Sequence, residues 1–295
     1  MQNKNWTGRT YGGGRLHNYL TKVLKFMNVR ILYIFAFIFI VPVVFIINSQ
    51  SRHAVYKFYR IRLRHSRMRS SWMTFRNFCS FAQVVIDRFA MYAGKSFRFE
   101  VDGYEYFSSL DSLPGSFVIL SAHIGNFELA GYSLVSERKR FNVVLFAGEK
   151  ESVMKNRQAM FENTNVRMIP MRADMEYLFT INAAMGEGEI VSLPADRFFG
   201  GQKSFSVLFF GENANFPQGP FVVASRYCAP VLFVAVMKTG AKKYKIYVRP
   251  LSDSNRAGNC KDSSLQIAES FSKVLEETVR QYPLQWYNYY DFWKK

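Results

Sequence analysis

Seventeen consecutive residues without a charge, Ile31 to Ile47, lie inside the most basic stretch of a 295-residue chain. The run reads ILYIFAFIFIVPVVFII. A helix crossing a hydrocarbon core of about 30 Å needs about 20 apolar residues, with a lower bound near 17. The run meets that bound, and Pro42 within it is expected to kink the helix. It starts too late and runs too long for the apolar part of a cleaved leader. Asn48-Ser49-Gln50-Ser51 and a basic block follow it, not a small-residue cleavage site.

Charge is distributed as unevenly as apolarity. Residues 1–95 hold 16 Lys/Arg and one acid, Asp87, whereas residues 96–295 hold 23 Lys/Arg and 21 acids. Between Arg52 and Arg69 stand Arg52, Lys57, Arg60, Arg62, Arg64, Arg67 and Arg69, with His53 and His65 and no acid. A basic run alone fits nucleic acid. Beside an apolar segment the membrane is the better partner, each cation near an anionic leaflet contributing roughly 1 kcal/mol, and no nucleic acid is expected. Lys22, Lys25 and Arg30 precede the run, so cations flank both of its ends. This favours the cytoplasm for the C-terminal side, and a helix lying in the cytoplasmic face fits as well as a single span. The expected division is a basic arm over 1–69, with a membrane helix over 31–47, and a globular body over 70–295.

The body has the composition of a folded domain, the chain as a whole being 49% hydrophobic and 21% charged. Cys79, Cys228 and Cys260 are odd in number and widely spaced, which excludes a disulfide framework and CxxC zinc sites. With one histidine in the body, no metal site is expected. Tyr11-Gly12-Gly13-Gly14 lacks the Gly-Lys-Ser/Thr of a phosphate loop and is a turn. Residues 70–92 place Trp72, Phe75, Phe78, Cys79, Ala82, Val85, Ile86 and Phe89 at helical intervals, predicting an amphipathic helix with that stripe in the core. Short β-branched and aromatic runs follow at 117–120, 143–146, 166–169, 190–193, 207–210, 231–236 and 244–248. Helix-like stretches lie between several of them, at 126–136, 152–163, 174–185 and 220–227, with a last helix over 263–280. The predicted fold is α/β, a mixed, partly parallel sheet flanked by helices.

His17, His53 and His65 lie in the arm, which leaves His123 as the body's candidate base. An apolar strand (Phe117–Leu120) ends just before it, Gly125 allows a turn, and Asn126 is a good helix N-cap. His123 thus falls at the carboxyl end of a strand, where open α/β sheets place ligands. Five residues on one helix turn about 140° past a full revolution, so His123 and Glu128 would not share a face. With the turn between them, Glu128 can fold back onto one imidazole nitrogen and leave the other as a base. Backbone N–H groups around Gly125, and Asn126 itself, are candidate oxyanion or substrate-positioning donors. The bland alternative is a satisfied histidine at a strand end.

The string His123-x-Gly125-Asn126-x-Glu128 resembles the HX4(D/E) motif of the lysophospholipid acyltransferase superfamily. Its Gly-Asn filling resembles the bacterial lipid A late acyltransferases. Ile190-Val191-Ser192-Leu193-Pro194-Ala195-Asp196-Arg197 is similar to that family's strand ending in a Pro-x-Asp turn. Phe209-Phe210-Gly211, Phe216-Pro217-Gln218-Gly219-Pro220 and Ala229-Pro230-Val231 are similar to its turn, helix and strand. Arg197 stands where many late acyltransferases have Gln, and Phe127 replaces the usual Trp. The resemblance implies a glycerolipid-acyltransferase-like fold and acyl transfer from acyl carrier protein or coenzyme A, as co-substrate, to a lipid hydroxyl. It implies no cofactor, and a location on the cytoplasmic face of a bacterial inner membrane. His123 and Glu128 would be the catalytic pair.

Asp196 and Arg197 are the candidate phosphate or substrate contacts, Arg197 as a planar fork, against a plain salt bridge to Asp196 or Glu212. Lys150, Lys203 and Arg226 are weaker candidates. No GxSxG elbow is present, so direct attack without an acyl-enzyme is expected. Secondary acylation of a lipid A precursor is the first choice of reaction. The alternatives are another acceptor (a lysophospholipid, an aminolipid or a pigment) or a non-catalytic basic module binding membrane or nucleic acid.

Overall fold

The computed structural model describes residues 27–129, 134, 136–146, 164–172, 176–198, 203–251 and 264–293. The helix expected over 152–163, residues 130–133 and 135 of the one expected over 126–136, and Lys150 lie outside the described residues. The chain enters through α1 (Val29–Ile47), among the described residues the one helix long and apolar enough to cross a membrane. Its middle, Ala36–Ile40, widens into a π turn in which the Val41 N–H donates to Ala36 O. Pro42 explains the widening: it has no N–H for the preceding turn, and its ring crowds the carbonyl four residues back.

Helix α2 (Ser49–Lys57) runs into a second π turn, Phe58–Arg62, and α3 (Arg67–Tyr92) is capped by the Ser66 hydroxyl. Helix α1 lies along α3, with Val29 against Phe89 and Ala90 and with the Phe45 ring 5.4 Å from Phe75 and 5.3 Å from Phe78. Its other face leaves Ile34, Phe35, Phe39, Ile46 and Ile47 exposed.

After α3 come β1 (Arg98–Asp102), α4 (Tyr104–Ser112), β2 (Phe117–Ser121), a 3-10 turn at Phe127–Leu129, β3 (Phe141–Phe146), β4 (Val166–Met171), α5 (Glu176–Gly186) and β5 (Ile190–Pro194). A hairpin of β6 (Ser204–Phe209) and β7 (Glu212–Pro217) follows, then α6 (Gln218–Arg226), β8 (Val231–Gly240), β9 (Lys243–Pro250) and α7 (Ser264–Gln281). Seven strands form one sheet in the order β1-β9-β8-β2-β5-β3-β4, parallel at every pairing except β8 with β9. The central strands are apolar at nearly every position because helices cover both faces of a parallel sheet. Phe117, Val118, Ile119 and Leu120 of β2 are all buried, as are the first seven residues of β8. The α/β class and the partly parallel sheet are therefore as expected.

Three features depart from the sequence reading. The stripe expected to face the core of α3 packs as predicted except at Trp72, which is 57% exposed, and Ser70, Thr74, Asn77 and Asp87 are buried beside it. Two partners cause this, since α3 lies between α1 and the body and carries polar side chains into the body contact. Residues of the expected arm beyond α1 also pack against the body. Tyr59 is fully buried and donates to Pro283 O, and the Phe58 ring is 4.8 Å from Trp286. Arg62 covers Trp293 at 4.3 Å and pairs with Glu212 at 2.7 Å, and Lys57 pairs with Asp291. Two of the seven cations of the basic block are thus engaged by the hairpin and the C-terminal tail. Finally, Cys79 is a free thiol, but Cys228 is disulfide-bonded, its partner lying outside the described residues. One bridge is not a framework.

Candidate active site

Two neighbouring parallel strands build the site. In the β2–β5 register Ser121 stands opposite Pro194, and the Ala195 N–H donates to Ser121 O at 2.9 Å. Each strand therefore ends at the same level, and each carries an ionisable residue two positions beyond its end. These are His123 and Asp196. His123 Nδ1 is 2.7 Å from Asp196 Oδ1, and the His123 backbone N–H donates to Oδ2 at 2.8 Å. One carboxylate thus holds both the ring and the main chain of the histidine. The Asp196 side chain is 3% exposed and that of His123 16%.

Burial alone would raise the Asp196 carboxyl. The charge and hydrogen bonds of His123, with Arg197 adjacent, outweigh it and hold the group below the usual carboxylate range. The carboxylate is therefore in place at neutral pH, and its contribution to stability is lost only as pH falls through the lowered value.

The sequence reading put Glu128 on the imidazole. The structure puts Asp196 on Nδ1, and the side chain of Glu128 lies outside the described atoms. The turn between them is tightly held. Gly125 has φ +58°, and a Cβ there would sit 2.1 Å from Val236 O. Its N–H donates to Gln285 O at 2.8 Å, and the Asn126 N–H donates to Val236 O at 2.7 Å. The Asn126 side chain is buried and donates to Tyr244 OH at 3.3 Å. The donors expected at an oxyanion are thus spent inside the protein, and Gly125 and Asn126 shape the turn instead. The left-handed backbone alone would cost alanine about 1–2 kcal/mol, before the clash. Gly125→Ala is expected to lower the melting temperature and activity together, measured by thermal melting beside a rate assay. Wild-type values in both would remove the constraint assigned to this position.

Arg197 was expected to form a fork toward a ligand phosphate. It is buried instead, with Nη2 donating to Tyr287 O at 2.7 Å. Burial works against its charge, and the Asp196 carboxylate is the largest influence in its favour. Arg197 braces the C-terminal tail on the site. The tail returns the support: the Tyr287 N–H donates to His123 O at 3.0 Å, and Tyr290 OH donates to Asp196 O at 3.1 Å. Asn77 of α3 donates to Leu284 O and Trp286 O, fixing the tail from beneath. Tyr287, Tyr290 and Gln285 were missed as site residues. The aromatic density of Trp286-Tyr287-Asn288-Tyr289-Tyr290 was visible, but it signals packing and not what is packed. Phe127 sets its ring edge-on to His123 at 5.0 Å. Among the described residues no three His, Cys, Asp or Glu are grouped to hold a metal.

An imidazole held through one nitrogen by a buried carboxylate, at the carboxyl end of a central parallel strand, is an arrangement for moving a proton. No curated protein is similar enough in sequence to count as a match. The solved structure of the 1-acyl-sn-glycerophosphate acyltransferase PlsC from Thermotoga maritima is similar at 11% identity over 84% of this chain and 99% of that one, with a TM-score of 0.40. A likeness so distant carries no argument. The pattern that defines the family described as bacterial lipid A biosynthesis acyltransferase matches residues 73–295, a range that begins in α3 and spans both strands of the site. The chain is an acyltransferase and belongs to the bacterial lipid A biosynthesis acyltransferase family.

Proposed function

We propose that the protein transfers a fatty acyl group from an acyl thioester, on acyl carrier protein or coenzyme A, to a hydroxyl of a lipid acceptor. Secondary acylation of a lipid A precursor is the first choice, in keeping with the family. The observation that carries the reading is the His123 Nδ1–Asp196 contact of 2.7 Å at the adjacent ends of β2 and β5. His123 Nε2 takes the proton of the acceptor hydroxyl as its oxygen attacks the thioester carbonyl. The tetrahedral intermediate collapses with cleavage of the C–S bond, and the imidazolium returns the proton to the departing thiolate. The products are an ester and a free thiol, and no redox step or metal is needed. Asp196 keeps a proton on Nδ1 and offsets the imidazolium charge. Glu128 is the acid that the resemblance to the HX4(D/E) motif pairs with His123.

Helix α1 brings the body to the bilayer. One face packs on α3 while the other exposes Ile34, Phe35 and Phe39, with Trp72 of α3 also exposed. An amphipathic arrangement of this kind, with Arg52 and Arg60 behind it, suits a helix seated in the cytoplasmic face of the inner membrane. A non-catalytic module would have no use for the buried His–Asp pair.

Mass spectrometry of lipids from cells with and without the gene tests the acceptor. Loss of one acyl chain from lipid A is expected, and a change confined to phospholipids would give the acceptor to another class. Direct attack has its own check: labelled thioester without acceptor should leave the protein unlabelled. Burial pushes the Cys79 thiol up to about 11, which leaves it a poor nucleophile. A stable ester on Ser121 or thioester on a cysteine would overturn direct attack.

A further inference from the structure

Asp87 is the one acid among residues 1–95, and it is completely buried on α3. Three elements converge on its carboxylate. Tyr33 OH of α1 donates to Oδ1, and Lys238 Nζ of β8 and Tyr244 OH of β9 donate to Oδ2. Lys238 also donates to Tyr33 OH at 3.0 Å. The Tyr244 oxygen, having given its proton to Asp87, accepts from Asn126 Nδ2 at 3.3 Å.

The cluster reaches the turn by a second route. Lys238 has its N–H and its carbonyl bound at 2.8 Å by the two ends of the Gln285 side chain, and the Gln285 carbonyl takes the Gly125 N–H. Both residues that shape the turn after His123 are therefore tied to a cluster whose outermost member stands on the apolar helix.

A buried ion pair is a poor source of stability, because desolvating two charges offsets most of their attraction. A fully hydrogen-bonded buried network does rigidify the residues that form it. Burial draws the Lys238 ammonium below its usual value, and Asp87 opposes that. Tyr33 presents its hydroxyl to this cluster only while α1 is seated on α3. Seating of the membrane helix and the set of the His123 turn thus share one carboxylate.

We propose that Asp87, with Tyr33 and Tyr244, are positioning residues that make the geometry of the His123 turn depend on the seating of the apolar helix α1. The proposal rests on the reading of His123 as the base. It adds that α1 does more than hold the protein at a membrane: an enzyme with α1 displaced would be folded and slow.

The test uses full-length protein in mixed micelles of detergent and lipid, with Tyr33→Phe and Tyr244→Phe. Both keep the ring and remove only the hydroxyl. Each is expected to lower kcat by roughly three- to tenfold, the size of a coupling carried through neighbours, with KM and membrane partition unchanged. The double variant should be no slower than the slower single one, because the cluster acts as a unit. Hydrogen exchange followed by mass spectrometry should show faster exchange over residues 122–129 in both. If Tyr244→Phe does not fold, Tyr33→Phe decides alone, since its ring remains on α3. Wild-type kcat and wild-type exchange over 122–129 in folded Tyr33→Phe would overturn the coupling. Wild-type protein without acyl transfer would instead remove the proposed function, and exchange would still report on the coupling.

Discussion

His123→Ala is expected to abolish acyl transfer while leaving the fold and membrane binding intact. A positioned general base contributes about 10²–10⁴-fold, and here the same nitrogen also returns the proton to the leaving thiolate, so both halves of the reaction lose their carrier. The side chain is 16% exposed at a strand end. Removing it opens little of the core, although it leaves the buried Asp196 carboxylate with only the His123 backbone N–H and Arg197 nearby. Rates at matched amounts of folded protein are the measurement, with circular dichroism as the control. Near-normal activity would place the chemistry elsewhere.

Asp196→Asn is expected to cost nearly as much. The amide fills the same buried space and can still bond Nδ1. It cannot offset an imidazolium, and it can present an N–H that selects the wrong tautomer. The corresponding change in a serine-protease triad lowers kcat by about 10⁴. Combined with His123→Ala it should add little, because a base and its orienting group act as a unit. The comparison that assigns the orienting role is with Glu128→Gln. Asp196 on Nδ1 predicts the larger loss for Asp196→Asn. A mild effect there beside a severe one in Glu128→Gln would return the role to Glu128.

Much of this architecture was legible in the chain. The β2, β5 and β8 runs are apolar at nearly every position because both faces are covered, and that pattern shows in sequence. His123 was found because it follows such a run and stands apart from the histidines of the basic arm. The partnership with Asp196 was not found, because it depends on which strands are neighbours. Once β2 and β5 are adjacent and in register, Ser121 opposite Pro194 brings the residues two beyond each end together. No local spacing encodes that.

Strand β7, Glu-Asn-Ala-Asn-Phe-Pro, lacks β-branched residues and was missed. It forms because Phe210 and Gly211, both at positive φ, turn the chain back on β6. The basic arm misled in a different way. A run of cations looks solvated or lipid-facing in sequence, yet Arg62 is spent on Glu212 and Trp293, and Tyr59 between the cations is core. Asn77 and Asp87, buried on α3, find their partners far away in sequence.

The most direct test of the central claim is a reconstitution. Purified full-length protein in lipid–detergent micelles is given labelled acyl carrier protein thioester and a lipid A precursor, and the acceptor is weighed by mass spectrometry. Wild-type protein is predicted to add one acyl chain to the lipid with release of one thiol per ester formed, and His123→Ala and Asp196→Asn to leave the lipid at its starting mass. Acyl addition by His123→Ala at the wild-type rate, or label retained on the protein, would contradict the account.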